Sequence, residues 1–494
     1  MKYPILKLLC LALLFGSCQK EKRPNVVLIF TDDQTYKAVG ALGYNQVKTP
    51  NIDQLYSEGT SFTHAYNMGS WSGAVCTASR SMLISGMSVW NANKNRKKWH
   101  VKDSLSIANT WPKLMESAGY DTYMTGKWHV DVAADDIFQN TVHIRPGMPN
   151  DAVNHPQLMK EYKEGDAMYP AMMPVGYNRP LSATDTSWNP ADKGRSGFWE
   201  GGKHWSEVLK DDALSFINKA SKKDKPFFMY LAFNAPHDPR QSPQKYLDMY
   251  PVEDIELPKN FRTDYDFHEE IGLGYKLRDE ALAPFPRTEL AVKTHLREYY
   301  ALITHLDEQI GGILSELKAK GLDENTYVFF TADHGLAIGS HGLMGKQNMY
   351  DHSMRVPLLV KGPSIPKGVS LDHDVFLQDI MPSALEVAGV QNSDFVEFKS
   401  LIPLATNISK SNGLDAVYGC YLGLQRMVRK DNFKLIAYPK AKKLRLFDLK
   451  NDPNELNDLA ENPDYQTKVK ELFAELEKLQ GHYNDELDLA FMKP

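Results

Sequence analysis

The sequence is short of cysteine, of long apolar runs and of any dominant charge. Four cysteines in 494 residues, Cys10, Cys18, Cys76 and Cys420, are too few for a disulfide-built scaffold. The only long apolar run lies at the extreme N-terminus, which excludes a multi-span membrane protein. Lys and Arg number 57 against 62 Asp and Glu, a net charge of -5 with the signs interspersed; a nucleic-acid partner would call for a basic chain. Internal repeats and low-complexity tracts are absent. Hydrophobic residues at 42% and charged residues at 24% exclude a disordered, collagenous or coiled-coil chain. At about 150 residues per domain the length suggests about three domains, although α/β folds often run longer as one unit.

At the N-terminus, Lys2 and Lys7 precede a short apolar stretch, Leu8 to Phe15, then the small residues Gly16 and Ser17, then Cys18. The apolar stretch is too short to span a bilayer and reads as a signal peptide. Phe-Gly-Ser-Cys resembles a bacterial lipoprotein signal with a relaxed lipobox. That resemblance implies a signal peptide over 1–17, cleavage before Cys18, lipidation of its thiol, and an exported protein held at the envelope, periplasmic or at the cell surface. Cys10 leaves with the signal, so Cys76 and Cys420 remain with no disulfide framework around them.

The rest of the chain alternates apolar runs with amphipathic stretches, the pattern of an α/β fold with a large, mixed but mostly parallel sheet flanked by helices. Val26–Phe30, Tyr120–Thr125, Phe227–Phe233, Tyr327–Thr331 and Pro357–Val360 read as strands, the most continuous of them buried on both faces. Helices are expected from Thr49-Pro50 to Gly59, from Leu105 to Ala118 and from Asp379 to Val387. After about residue 400 come short alternating segments and a charge-rich helix from about Tyr465. They predict a smaller C-terminal α+β subdomain over 401–494 carrying an antiparallel sheet, behind a catalytic domain over 18–400. A poorly periodic stretch, about 133–207, reads as a surface insertion; its Trp199, His204 and Trp205 are candidates for stacking on a sugar.

Polar residues able to do chemistry follow four of these strands directly. They are Asp32 and Asp33, then Lys127 and His129, then His237 and Asp238, then Asp333 and His334. In a parallel α/β sheet, ligands bind beyond the carboxyl ends of the strands, so the four segments point at one rim. A single acidic pair there is ordinary helix-cap chemistry; four coincident segments are not. Asp32, Asp33, Asp333 and His334 make a metal site whose carboxylates favour a hard cation such as Ca²⁺, while the imidazole leaves Mn²⁺ or Zn²⁺ open.

The remaining motif is Cys76-Thr77-Ala78-Ser79-Arg80, followed by an apolar helix and Gly86. It resembles the signature of the type I, formylglycine-dependent sulfatases of the alkaline phosphatase superfamily. The same family's pattern is matched in order by Arg23–Gln34, Thr49–Gly59, Gly126–His129, Ala235-Pro236-His237, Thr331–Gly335, Gly345-Lys346, Arg355–Pro357 and Leu446–Leu449 with Asn451-Asp452-Pro453. Two positions depart from the commonest pattern. Ala78 stands where many members carry Pro, and Asp333-His334 where most carry Asp-Asn; an Asp-His-Gly version is found in iduronate-2-sulfatase-like and choline-sulfatase-like branches.

The resemblance implies an exported sulfatase that hydrolyses sulfate monoesters of glycans, with one Ca²⁺ per chain. Cys76 would be oxidised to Cα-formylglycine by a maturase, of the anaerobic radical type given Ala78. The hydrated aldehyde would attack sulfur and later expel sulfate, which an ordinary serine cannot do. Arg80 would order that group and Lys127 and Lys346 would contact sulfate oxygens. His129 would be the base and His237 the acid to the leaving oxygen, with the Cys76 side chain completing the Asp32, Asp33, Asp333, His334 metal site. His341 and His352 are candidate substrate contacts. The chain's net negative charge favours short sulfated saccharides and exo-action over intact polyanions. Two other readings share much of the pattern: a phosphate or phosphonate ester hydrolase of the same superfamily, and a non-catalytic glycan-binding lipoprotein. The second predicts a broken constellation, and no catalytic position matched here is broken.

Overall fold

The computed structural model describes residues 22–149, 178–274, 277–391, 394–406 and 413–494. The expected signal peptide at 1–17 and the expected lipidation site Cys18 lie outside the described residues, as does the middle of the 133–207 stretch.

A nine-stranded mixed sheet forms the centre. Its parallel half runs Thr326–Ala332, Asn25–Thr31, Phe227–Ala232, Asp121–Lys127 and Asn140–Arg145. Beyond Thr326–Ala332 the chain reverses at Leu358–Lys361, which is antiparallel to both its neighbours; Thr60–Tyr66 and Val369–Phe376 complete that side. Arg355–Val356 and Leu358–Lys361 pair with the same strand on either side of Pro357, which has no N–H to give to the ladder. Asn25–Thr31 and Thr326–Ala332 are buried along their whole length, as continuous apolar runs require when helices cover both faces. On one face lie Trp205–Ala220 and the 31-residue helix Glu289–Ala319, packed on Val27, Ile29 and Phe330. On the other lie Val75–Ser85 and Ile380–Val387, packed around Leu28, Phe30 and Phe329.

A second sheet has five strands, four of them an antiparallel run from Val417–Tyr421 to Lys443–Asp448, covered by the helix Gln466–His482. Its fifth strand was not expected from sequence. Gly69–Ser70 pairs in parallel with Cys420–Tyr421, so the C-terminal sheet is tied to the segment that leads into Cys76.

Two further expectations are corrected. The helix predicted over Leu105–Ala118 is two helices, Ser104–Ala108 and Trp111–Ser117. Asp103 caps the first, and Pro112 starts the second, because a proline has no N–H to continue the earlier helix. The 133–207 stretch is not wholly an insertion: Asn140–Arg145 is the edge strand of the main sheet. Its alternation is hard to see because an edge strand need not be apolar. His204 and Trp199 are buried, and His204 accepts a hydrogen bond from the Ser206 N–H to cap Trp205–Ala220. Trp205 lies under the Arg145 guanidinium, 4.5 Å away. Trp199 and His204 are thus packed inside, while Trp205 stays half-buried beside Arg145.

Candidate active site

The carboxyl ends of the parallel strands meet the N-terminus of Val75–Ser85, and the site is built there. Thr31 ends its strand and hands over to Asp32 and Asp33. Asp33 adopts a left-handed φ of 65°, unfavourable for a residue with a side chain. Its N–H donates to Asp333 Oδ1 at 3.2 Å and its carbonyl accepts the Tyr299 hydroxyl at 2.6 Å. Lys127 is aimed by a bulge. The register with Asn140–Arg145 shifts between Thr125 and Gly126, and Gly126 takes φ +93° against the Ala232 carbonyl, where a Cβ would lie 1.9 Å from the oxygen. Cys76 is the second residue of its helix, where free N–H groups and the dipole favour an anion. The expected glycine stop is present: Gly86, at φ 69°, donates its N–H to the Met82 carbonyl.

Ten of the residues singled out in the sequence converge here, all but one of them buried. The Cys76 sulfur lies 3.2 Å from His334 Nε2 and 3.4 Å from Lys346 Nζ, with the half-buried His129 ring beside it. Lys346 donates to both Asp33 oxygens, at 2.8 and 3.0 Å, and Lys127 donates to Asp32 Oδ2. Arg80 donates through Nε to Asp333 Oδ2 at 3.0 Å and through Nη1 to the Lys127 carbonyl at 2.9 Å; its guanidinium lies 4.7 Å from the Phe30 ring centre. His237 Nε2 stands 3.7 Å from Asp33 Oδ2.

The electrostatics follow from this crowding. Burial pushes the Asp32 carboxyl well up, and the neighbouring Asp333 carboxylate and Cys76 sulfur push it further. Burial alone would raise the Cys76 thiol, but the Lys127 and Lys346 ammonium groups and His334 outweigh it and hold the thiol well below its ordinary value. The position therefore stabilises an anion. Burial acts to lower His334, yet Asp333 and Asp33 raise it. His129 is lowered by burial, with Lys127 adding to the effect, so its ring is held neutral.

Two sets of side chains place ligand atoms close enough to share a metal: Asp32, Cys76, Asp333 and His334, and Asp32, Asp33, Cys76 and His237. The donor chemistry fits a cation. Asp32 Oδ1 is buried without a hydrogen-bond partner. His334 has its Nδ1 3.0 Å from the Gly335 carbonyl, so Nδ1 carries the proton and Nε2 presents its lone pair to the carboxylates.

Sequence reasoning missed several supports. Asn67 donates from Nδ2, and Ser79 from its hydroxyl at 2.8 Å, to the Asp333 carbonyl, and Gln347 accepts the Lys346 N–H at 3.0 Å. Asn67 directly follows the strand Thr60–Tyr66, so the strand-end rule that found the others would have found it too. His341 and His352 stand apart from the Cys76 cluster. They flank Tyr350, the His341 ring stacking on it at 4.0 Å, and His341 Nε2 lies 3.0 Å from Asn260 Nδ2. Among the described residues, no hydrogen bond or ion pair links either to Cys76, Asp32, Asp33, Asp333 or His334.

Residues 24–390 match the family described as Sulfatase, and residues 339–482 match the family described as N-sulphoglucosamine sulphohydrolase, C-terminal. An ulvan-active sulfatase of Formosa agariphila is 29% identical over 94% of this chain and 82% of its own. An N-acetylglucosamine-6-O-sulfatase of Bacteroides thetaiotaomicron is 27% identical over 96% of this chain and 90% of its own. Among solved structures, one determined with its substrate, D-glucosamine-2-N,6-O-disulfate, superposes with a TM-score of 0.70 at 23% identity over 94% of this chain and 99% of that one. A phosphonate monoester hydrolase of Agrobacterium radiobacter gives the same TM-score at 20% identity, over 93% and 96% of the two chains. At such identities the superpositions establish the fold alone.

Proposed function

The chain belongs to the sulfatase family and is a sulfuric ester hydrolase, and from that premise we propose that it removes sulfate from short sulfated saccharides, one terminal group at a time, as an exported, lipid-anchored enzyme. Sulfatases generally use a metal ion and a formylglycine. In this reading the formylglycine forms from Cys76 by the action of a maturase. The ion is Ca²⁺, held by Asp32, Asp33, Asp333 and His334, whose carboxylate majority suits a hard cation. When present, the modified side chain supplies the attacking oxygen and the ion polarises it and offsets sulfate charge.

The chain's own residues do the rest. Lys127 and Lys346 hold sulfate oxygens in a buried pocket where each charge acts at full strength. Arg80, buried and bonded to Asp333, fixes the carboxylate beside Cys76. His129, kept neutral by burial, accepts the proton from the attacking group. His237 gives a proton to the saccharide oxygen as its bond to sulfur breaks. His341 and His352, stacked about Tyr350, stay the candidate substrate contacts of this reading.

The observation that carries the reading is the Cys76 sulfur at a helix N-terminus, 3.4 Å from the Lys346 ammonium and 3.2 Å from His334. The names of the relatives support a glycan substrate over a phosphonate. Lys2, Lys7, Gly16, Ser17 and Cys18 support export and lipidation. The test is to co-express the chain with a maturase, measure the mass of the Cys76 peptide, and assay the product on sulfated mono- and oligosaccharides, on an intact sulfated polymer and on a phosphonate monoester. Formylglycine at Cys76 with turnover confined to terminal sulfates is the expected result. Full activity with an unmodified thiol, equal rates at internal sulfates of the polymer, or preference for the phosphonate would each overturn part of it.

A further inference from the structure

The two histidines that flank the reacting group are supported differently. His129 Nδ1 is buried without a hydrogen-bond partner. His237 Nδ1 lies 2.7 Å from the Asp238 carbonyl and 3.3 Å from Asp238 Oδ1. Asp238 is itself buried and clamped by the fork of Arg278, through Nη1 at 3.3 Å and through Nη2. The same guanidinium reaches Asp279 Oδ1 at 2.9 Å. Asp279 Oδ2 accepts Gln347 Nε2 at 2.7 Å and stands 4.0 Å from Lys346 Nζ. A chain of buried and half-buried polar groups thus runs from the histidine at the leaving-group side toward the lysine on the sulfate side.

Only one ring nitrogen of His237 can face the reacting oxygen. With Nδ1 turned to two Asp238 oxygens, its proton stays there, and Nε2 is turned toward the rim beside Asp33. That is the division of labour an acid requires: Nδ1–H remains bonded throughout, and Nε2–H is the proton that leaves.

We propose that Asp238, held by Arg278, is a positioning residue that fixes the His237 ring with Nδ1–H on Asp238, so that Nε2–H is delivered to the leaving oxygen of the saccharide. In the step, the attacking oxygen bonds to sulfur as the S–O bond to the saccharide breaks, the electron pair of that bond going to the saccharide oxygen. The Nε2 proton goes to that oxygen, and His237 is left neutral with its Nδ1 proton in place. This rests on the sulfatase reading of the site. The role of Lys346 is unaffected by it.

A saccharide alkoxide is a poor leaving group and needs the proton, whereas a nitrophenolate does not. The test therefore compares two substrates, N-acetylglucosamine 6-sulfate and 4-nitrophenyl sulfate, on matured full-length enzyme. Asp238→Asn should lower kcat on the saccharide by about 10²-fold and on the aryl sulfate by less than about 3-fold, in the range general acids contribute. In a His237→Ala background the same substitution should change neither rate, since Asp238 acts through His237. Arg278→Lys, which keeps the charge but loses the fork, should show the same selectivity in smaller degree, and decides the matter if Asp238→Asn does not fold. Equal losses on both substrates, or an undiminished effect without His237, would overturn the proposal while leaving the sulfatase reading standing. A wild-type enzyme inactive on both esters would remove that reading and the proposal with it.

Discussion

The protein buries two knots of charge, and they are built on opposite terms. At the rim, three carboxylates, a thiol, two lysines, an arginine and three histidines crowd together, and buried polar atoms are left without partners: Asp32 Oδ1, Arg80 Nη2 and His129 Nδ1. Beneath the second sheet, Lys434 is bonded to Asp351 and, at 2.7 Å, to Glu455; Glu455 accepts the Asp351 N–H at 2.8 Å. There no atom of these three charged groups is orphaned. Burial costs are similar in both places, so the difference lies in what completes the hydrogen bonding. The second knot is completed by the fold itself, and holds the C-terminal sheet to the segment after the rim. In the function proposed above, the first is completed by what the site receives, an anion between the lysines and a cation among the carboxylates. Of these two knots, the one with orphaned atoms lies at the candidate site and the fully bonded one holds the fold together.

If so, the rim can be broken with little damage to the fold. Cys76→Ala should abolish saccharide sulfatase activity by about 10⁴-fold or more, the scale on which losing a nucleophile acts. Near-UV circular dichroism should stay that of the native protein, and a loss of native signal would contradict the separation. Removing the metal comes next. Dialysis against a chelator should reduce activity by about 10²-fold or more, the scale of losing charge stabilisation in a transition state, and Ca²⁺ should restore it. Recovery with Zn²⁺ but never with Ca²⁺ would overturn the ion assignment.

How much of this the sequence disclosed depends on the same distinction. Asp32, Lys127, His237 and Asp333 were legible because each lies at or just beyond the end of a strand, and a parallel sheet gathers its strand ends at one rim. Cys76 and Arg80 were legible through a local motif on one helix. The supports were not. Arg278 and Asp279 lie in a segment without regular periodicity, and nothing local says that they reach Asp238 and Gln347. The strand Gly69–Ser70 is two residues long, too short for any period to show, and its partner lies 351 residues away. Lys434 alternates into its strand like a solvent-facing residue, and only the packed structure reveals it as 0% exposed. Patterns of one chain segment are written in the sequence; pairings between distant segments are made by packing.

The second knot should respond in the opposite sense to the rim. Lys434→Met removes the cation that Asp351 and Glu455 share and leaves the two buried carboxylates without it. Breaking a buried pair in this way costs about 3–5 kcal/mol. Denaturant titration should record that loss, while kcat per folded molecule stays within about 2-fold of wild type, since none of these groups touches the Cys76 cluster. A selective fall in kcat with unchanged stability would show the two knots to be coupled.

The smallest effect concerns acid, and it sharpens the contrast at the edge of the second knot. His341 stacks on Tyr350 and is held down to about 3, first by burial and then by the Arg262, Arg445, Lys37 and Lys434 cations around it. His352 is likewise pushed well below its ordinary value, by burial and by His341. An imidazole lowered in the folded state takes up its proton more readily in the unfolded chain. The stability it permits is therefore present above about pH 6.5, the ordinary histidine value, and is lost as pH falls below it. Between pH 6.5 and 5 one such group accounts for about 2 kcal/mol. His341→Gln keeps a neutral polar partner for Asn260 and has no proton to gain. Its denaturation midpoint should fall less between pH 7 and pH 5 than that of wild type, by an amount matching one proton. An identical acid response in the two proteins would mean that His341 is reached by water when folded, and that the stack is not the sealed unit its geometry describes.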